Sequence, residues 1–335
     1  MQSQFKPSHK KTSRYNLLKA FLFIVPLLLV GGAIWSVFGS ITHPAGAAPA
    51  RSAAINPLLY GTNLNLADDS DDQALTAPVA PLLQQMHIKI VRIPMRASTS
   101  QATYMKAANL IKSVGAVPLV ILETPEHQSS ALNDDRQIIV TMNNVFSNGI
   151  VYYEFGNEPD LNNSDASWYI NSWNKNVPAL QKLMQNGRLV GPSTYYANYD
   201  YIQSFLSKAR PTPSFISWHE YTCDASWDAS VCISHIDNWT THISKIRSIM
   251  NATIHISLPI IISEWNYTPA HSVDGDGKHD NAQFMTTWTT KALNVLAQNN
   301  IYASMQFSVT GTEVPLIDSK NHITPQGSVF AKMGS

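Results

Sequence analysis

Tyr153-Glu154-Phe155-Gly156-Asn157-Glu158-Pro159-Asp160 closes one strand-like apolar run, and Ile260-Ile261-Ile262-Ser263-Glu264-Trp265-Asn266 closes another. In a parallel sheet the carboxyl end of a strand opens on the cleft where ligands bind. Glu158 and Glu264 are 106 residues apart, the length of three strand-plus-helix units at roughly 35 residues each. If Glu158 ends strand four, Glu264 ends strand seven.

The rest of the chain supports that count. Strand-like runs precede and include the first motif at Tyr60 to Leu66, Ile88 to Pro94, Val117 to Leu122 and Ile150 to Phe155. Four more follow at Arg188 to Gly191, Phe215 to Tyr221, Pro259 to Glu264 and Ile301 to Phe307, most of them short and rich in Val, Ile, Phe or Tyr. Helical patterning fills the intervals at Pro78 to His87, Gln101 to Val114, Asp134 to Phe146, Ala166 to Asn186, Tyr201 to Ala209, Ile236 to Met250 and Asn281 to Asn299, with a last segment near Pro325 to Met333. Strand and helix alternate eight times, which predicts an α/β (β/α)8 TIM barrel over an open doubly wound sheet. No Gly-x-Gly-x-x-Gly turn opens the first unit, so a dinucleotide site has no support.

The N-terminus carries a targeting signal. Residues 1–20 hold Lys6, Lys10, Lys11, Arg14 and Lys19 without an acid, and residues 21–41 carry no charge. The domain reading is a basic cytoplasmic segment at 1–20, a transmembrane anchor or signal core at 21–41, a linker at 42–56 and a (β/α)8 catalytic domain at 57–335. An uncleaved single-pass anchor would leave the barrel on the extracellular face of the membrane. Cleavage near Ala48-Pro49-Ala50 would instead secrete it. Without the five N-terminal cations the chain has 18 basic and 23 acidic side chains. That acidic balance gives no footprint for nucleic acid. Cys223 and Cys232 are the only cysteines. Outside the cytoplasm they are expected to form a disulfide, the alternative being two free thiols.

Two carboxyl groups at strand ends are the minimum equipment for glycosidic-bond hydrolysis, one protonated to assist departure and one ionised to attack. Asn157 can donate to the sugar hydroxyl beside the reacting carbon, and Pro159 should hold Glu158 in an extended backbone. The three isoleucines before Glu264 make a rigid strand suited to a nucleophile, with Trp265 and Asn266 starting the cleft wall. No cofactor and no metal are required. The acidic loop from Asp274 to Asp280 lacks the sixth-position glycine and twelfth-position glutamate of an EF-hand. The run at 68–72 reads as a solvated loop and helix cap.

Gly156-Asn157-Glu158-Pro159 together with Ser263-Glu264-Trp265-Asn266 resembles the clan of retaining (β/α)8 glycoside hydrolases with the acid/base on strand four and the nucleophile on strand seven. The resemblance implies Glu158 as proton donor, Asn157 as hydroxyl-binding partner and Glu264 as nucleophile. Val91-Arg92-Ile93-Pro94 resembles the clan's second-strand arginine segment and His219-Glu220-Tyr221 its sixth-strand His-x-Tyr. The wording leans toward family 79, the heparanase and β-glucuronidase group, or family 39, the β-xylosidase and iduronidase group. The chain departs from them in ending about 28 residues after strand eight, where those families append a β-sandwich, and in having no tryptophan in Met305-Gln306-Phe307-Ser308. Phe307 or Trp265 would then be the sugar-stacking platform.

The remaining candidates carry two readings each. Arg92 either orients Glu264 or neutralises Glu154 inside the barrel. His219 and Tyr221 share a strand face, so both reach the cleft, with Tyr221 donating to Glu264, unless His219 is a satisfied core histidine. Glu220 should face the helices. Tyr195, Tyr196, Tyr199, Tyr201 and Trp227 belong to mouth loops and either form sugar subsites or pack those loops. Among the sequons at Asn162, Asn238, Asn251 and Asn266, the last is an awkward acceptor beside a nucleophile. The reading is a glycosidase acting with retention on an extracellular oligosaccharide or polysaccharide. Its alternatives are a non-catalytic carbohydrate-binding barrel and a transglycosylase using the same pair.

Overall fold

The computed structural model describes residues 55–66, 73–94, 99–125, 130–269, 273 and 275–335. The expected anchor at 21–41 and the acidic run at 68–72 lie outside the described residues. Among the described residues no helix is long and apolar enough to cross a membrane.

Eight parallel strands close in sequence order. They are β1 (Gly61–Asn63), β2 (Ile90–Ile93), β3 (Val117–Leu122), β4 (Val151–Phe155), β5 (Gly187–Thr194), β6 (Phe215–Tyr221), β7 (Ile260–Asn266) and β8 (Ala303–Gln306). The outer ring contains α1 (Val79–Gln85), α2 (Gln101–Ser113), α3 (Ala131–Val145), α4 (Pro159–Asn162), α5 (Ser167–Gln181), α6 (Tyr199–Lys208), α7 (Ala229–His235), α8 (Asn238–Ile254), α9 (Ala282–Gln298) and α10 (Pro325–Met333). The eight strands expected from sequence are all present, with ends shifted by a few residues. The short α4 and α7 have too little apolar periodicity to stand out in sequence, and both sit in loops at the barrel mouth.

Side-chain caps set several helix starts. Ser100 accepts from the Thr103 amide at 3.2 Å, Asn281 from the Phe284 amide at 3.0 Å, and Thr324 from the Gly327 amide at 3.2 Å ahead of Pro325. Each satisfies an amide that the first helical turn leaves unpaired.

Strand alternation divides the core in two. Ile90, Leu119, Tyr152, Val190, Phe215, Ile261, Ala303 and Met305 fill the barrel interior. Val91, Ile93, Val120, Tyr153, Phe155, Ile216, Trp218, Ile262 and Trp265 face outward into the larger cluster shared with the helices. Inward residues nearer the carboxyl ends are polar: Arg92 above Ile90, Glu154 above Tyr152, and Ser217, His219 and Tyr221 above Phe215. The apolar floor thus carries a charged layer toward the mouth.

Asp135 on α3 is fully buried. Its Oδ1 accepts from the Glu123 amide at 2.9 Å, whereas Oδ2 has no partner among the described residues. Burial pushes its carboxyl up to about 8. A carboxyl raised on folding stabilises the native state below its ordinary pKa, and that contribution is lost as pH rises through about 8. Thermal stability should therefore fall between about pH 4 and pH 8. Asp135→Asn keeps the acceptor without the charge, so it should flatten this slope and raise Tm at pH 8 by several degrees. Melting curves of both proteins across that range test it, and parallel slopes would remove Asp135 as the cause.

Candidate active site

Glu158 follows β4 through two backbone reversals. Gly156 has φ +83°, and a Cβ there would lie 3.1 Å from Thr124 Cγ2 and 3.3 Å from the Tyr169 ring. Glu158 has φ 48° and ψ 49°, in the left-handed region, not the extended conformation expected ahead of proline. Pro159 disfavours the right-handed region, and the surroundings then select the left-handed well at a cost of about 1–2 kcal/mol. The Glu158 amide donates to the Ser193 carbonyl at 2.9 Å, and the Leu161 amide to the Glu158 carbonyl at 3.1 Å. Asp160 fixes the next turn by accepting from the Tyr195 amide at 2.8 Å and Asn198 Nδ2 at 3.1 Å. The Glu158 carboxyl is thereby turned toward β6, where its Oε1 lies 2.9 Å from His219 Nδ1.

Glu264 reaches the interior through a one-residue irregularity. Trp218 pairs with Ile262, but His219 pairs with Glu264, so Ser263 is extra on β7. Strict alternation from the inward Ile261 would send Glu264 outward and Trp265 inward; one added residue reverses both. Trp265 therefore does not wall the cleft. It is fully buried among the helices, stacked on Phe330 at 5.9 Å and packed on Trp239 and Trp288. A matching irregularity at Ser193 on β5, with φ 56°, turns that hydroxyl toward Arg92 and His219, 3.3 Å from each.

Arg92 joins both alternatives proposed for it. Its Nε donates to Glu154 at 2.7 Å, and Nη1 donates to Glu264 at 2.5 Å and Asn63 Oδ1 at 3.1 Å. Nη2 donates to Asn157 Oδ1 at 2.6 Å and Ser193 Oγ at 3.3 Å. All five guanidinium N–H groups are thus engaged. Burial works against the Arg92 charge, but Glu154 and Glu264 outweigh it and raise its pKa. Glu154 is completed by the Ser217 hydroxyl at 2.5 Å. Because Asn157 Oδ1 faces the guanidinium, its amide NH2 is left to donate toward the cleft.

Around Glu264, burial alone would raise the carboxyl, yet His219, Arg92 and the Tyr221 hydroxyl at 2.9 Å hold it below the ordinary range. Burial opposes a charged His219, and Glu264 with the Glu158 hydrogen bond overcomes this and raises the imidazole. Burial and the adjacent Glu264 lift the Tyr221 phenol well above its usual value, which keeps it a donor. One oxygen each of Glu158 and Glu264 and one His219 nitrogen lie within 4.8 Å of one another. This set has metal-ligand chemistry, but a guanidinium 2.5 Å from Glu264 opposes a further cation. The arrangement suits proton transfer and nucleophilic attack.

The structure gathers Arg92, Asn157, Glu158, His219, Tyr221 and Glu264 into one site. Asn63, Ser193 and Ser217 join them without having been singled out in sequence. Phe307 is half-buried just after β8, its carbonyl accepting from Asn266 Nδ2 at 2.7 Å. Asn266 is buried and also donates to the Val314 carbonyl, which leaves it unreachable for glycosylation in the folded barrel. Glu220 faces outward as expected, accepting from Trp218 Nε1 at 2.7 Å and lying 2.9 Å from His242 Nδ1. Tyr195 stacks on Tyr221 at 6.2 Å, whereas Tyr201 is core. Cys223 and Cys232 form the expected disulfide, with Cα atoms 4.8 Å apart. Asp276, from the loop weighed for calcium, is engaged by protein donors: Tyr267 Oη, the Lys278 and His279 amides, and the His279 ring.

No protein-family model matches the chain, and no curated protein sequence matches it. Solved structures do. A monomeric β-xylosidase from Caulobacter crescentus CB15 is similar with a TM-score of 0.64 and 13% identity, over 85% of this chain and 70% of that one. The GH51 arabinofuranosidase from Xanthomonas axonopodis pv. citri gives 0.66 and 11%, over 84% and 73%. The GH39 enzyme from the same organism gives 0.60 and 13%, over 84% and 67%. The fold is therefore the (β/α)8 barrel shared by GH39 and GH51 glycoside hydrolases.

Proposed function

We propose that the protein is a retaining O-glycoside hydrolase acting on an extracellular carbohydrate, with Glu264 as nucleophile and Glu158 as acid/base. The observation that carries this reading is that one oxygen of Glu158 and one of Glu264 lie within 4.8 Å of each other at the ends of β4 and β7. Retaining enzymes hold their carboxyl groups about 5–5.5 Å apart, while inverting ones leave about 6.5–9.5 Å for a water. The names of the similar structures, β-xylosidase and arabinofuranosidase, support a neutral sugar. Arg92 agrees with that choice, since it has no N–H left for a uronate. The Cys223–Cys232 disulfide and the basic-then-apolar N-terminus support export, with residues 21–41 as anchor or signal core.

In the first step the Glu264 carboxylate attacks the anomeric carbon. The bond from that carbon to the glycosidic oxygen breaks, and the oxygen takes the proton held by Glu158. In the second step the Glu158 carboxylate takes a proton from water, whose oxygen attacks the same carbon and releases Glu264. Arg92 and Tyr221 keep Glu264 ionised for attack and receive it again as it leaves. His219 Nδ1, 2.9 Å from Glu158 Oε1, fixes the orientation of that carboxyl.

Glu158→Ala tests the assignment. Turnover of substrates with poor leaving groups should fall about 10³-fold, in the usual range for general acid catalysis. 4-Nitrophenyl xyloside, arabinofuranoside or glucoside should form its glycosyl-enzyme far less impaired. Azide should then restore turnover and give a glycosyl azide with the substrate's anomeric configuration. An azide product of inverted configuration, or equal loss on all leaving groups, would count against Glu158 as acid/base.

A further inference from the structure

The face of the barrel opposite the mouth is built from the helix-to-strand connections at residues 86–89, 114–116, 146–150, 182–186, 209–214, 255–259 and 299–302. None of these contains an aspartate or a glutamate. The connections and the element ends beside them carry Lys89, Lys182, Arg188, Lys208, Arg210 and Lys332, all exposed. Lys332 reaches this face because α10 ends against the first connection, where a Cβ on Gly334 would lie 2.8 Å from His87 Cβ. The acids gather at the other end. Asp165, Asp200, Asp224, Asp228, Asp280 and Glu313 are exposed on the strand-to-helix loops and first helical turns around the mouth. The barrel is thus a charge dipole with its positive end away from the catalytic site. We propose that this positive face docks on the surface of a phospholipid bilayer bearing anionic headgroups and turns the mouth away from it.

Three observations select that occupant. The first is charge. Helix dipoles favour acids in first turns and cations in last turns, which accounts for Asp200 and Lys208. They do not account for Lys89, Arg188 and Arg210, which lie outside helices, or for connections without a single acid. A whole face of one sign is a footprint for an extended surface of the other. The second is what lies among the cations: Ile55, Ile150, Leu183 and Ile256 are exposed there. Leu161, Tyr196 and Trp227 are exposed at the mouth as well, but among acids that anionic headgroups repel. Apolar side chains set among cations suit the boundary between headgroups and acyl chains, which a hydrophilic polyanion does not offer. The third is the path of the chain. Ile55 precedes Pro57–Leu59 and β1, so the segment read above as anchor or signal core is joined through its linker to this face. The proposal takes from the proposed function only the export of the barrel and is independent of the catalytic assignment.

The test places the full chain in nanodiscs of phosphatidylcholine, alone or with an equal part of phosphatidylglycerol, and measures hydrogen exchange. Amides of residues 147–150, 183–186 and 255–258 should exchange at least fivefold more slowly on the anionic bilayer, and those of 225–228 and 311–313 equally on both. Salt at about 0.5 M should abolish the difference, since it screens charges beyond a few ångströms. Lys89→Glu/Lys182→Glu/Lys332→Glu should abolish it too, while Lys320→Glu at the mouth should keep it. Ile256→Ser changes no charge and should reduce the protection at least twofold, with all variants melting as wild type does. Equal exchange on the two bilayers, protection of the mouth segments instead, or protection that survives in the triple variant each overturns the proposal. Protection that arises in concentrated protein without a bilayer assigns the face to a second copy and overturns it as well. If the chain does not stay in the discs, the anchor reading fails separately, and co-sedimentation with vesicles of the same two compositions decides. Salt-sensitive binding to the anionic vesicles, at least tenfold weaker in the triple variant, upholds the docking face; equal binding of both proteins, or no binding, overturns it.

Discussion

Glu264→Gln is expected to lower kcat on every substrate by about 10⁴-fold or more, the scale on which loss of a nucleophile is felt. The amide matches the carboxylate in size; its one oxygen can still accept from Arg92 while its NH2 donates to the Tyr221 hydroxyl, so the barrel should stay folded. What it lacks is the charge that attacks the anomeric carbon and that holds a proton on His219. Since Glu264 is the largest influence raising that imidazole, its removal should move the His219 pKa down, a shift that NMR of the ring protons reads directly. Intact-mass analysis with 2-deoxy-2-fluoro glycosides gives the chemical readout. Wild type should gain one glycosyl unit and Glu264→Gln none. A labelled variant, or one retaining a tenth of wild-type turnover, would place the nucleophile elsewhere.

The two glutamates could be found in sequence because each ends an apolar run, and a closed parallel barrel puts every such end at one mouth. The strand count followed for the same reason. Alternation also assigned Glu220 to the helices and His219 with Tyr221 to the cleft, since β6 is regular. It failed where the backbone is not. Simple alternation along β7 misplaces both Glu264 and Trp265, because the extra Ser263 leaves no mark in residue type. Ser193 was missed for the same reason on β5. The left-handed Glu158 is selected by contacts with Ser193 and the Asp160 turn, from a part of the chain some 35 residues away. Asn63 offers one small polar side chain on a three-residue strand, and its partners Arg92, Ser263 and Met305 all come from other strands. Local propensity speaks for elements; the site depends on irregularities that only tertiary packing specifies.

Arg92→Met should destabilise the fold by about 3–5 kcal/mol, the usual result of removing one partner from a buried ion pair. Here two carboxylates lose their cation together. Glu154, fully buried, would keep only the Ser217 hydroxyl, and Glu264 would keep Tyr221 and His219. The pH dependence distinguishes this from lost packing. In wild type the Glu264 pKa lies below its ordinary value, so its contribution is present above that value and disappears as pH falls through the lowered one. Without Arg92 the burial that opposes ionisation is no longer offset to the same degree, and the Glu264 pKa rises. A carboxyl raised on folding stabilises at low pH and loses that contribution as pH rises. The deficit of Arg92→Met relative to wild type should therefore be largest near neutrality and shrink on acidification toward pH 4. Urea titrations of both proteins at pH 7, 5.5 and 4 measure this, and Arg92→Lys, which restores a charge without the five-donor fork, should recover part of the stability but little of the turnover. A deficit independent of pH would mean that Arg92 acts chiefly by filling space and not by holding Glu264 ionised.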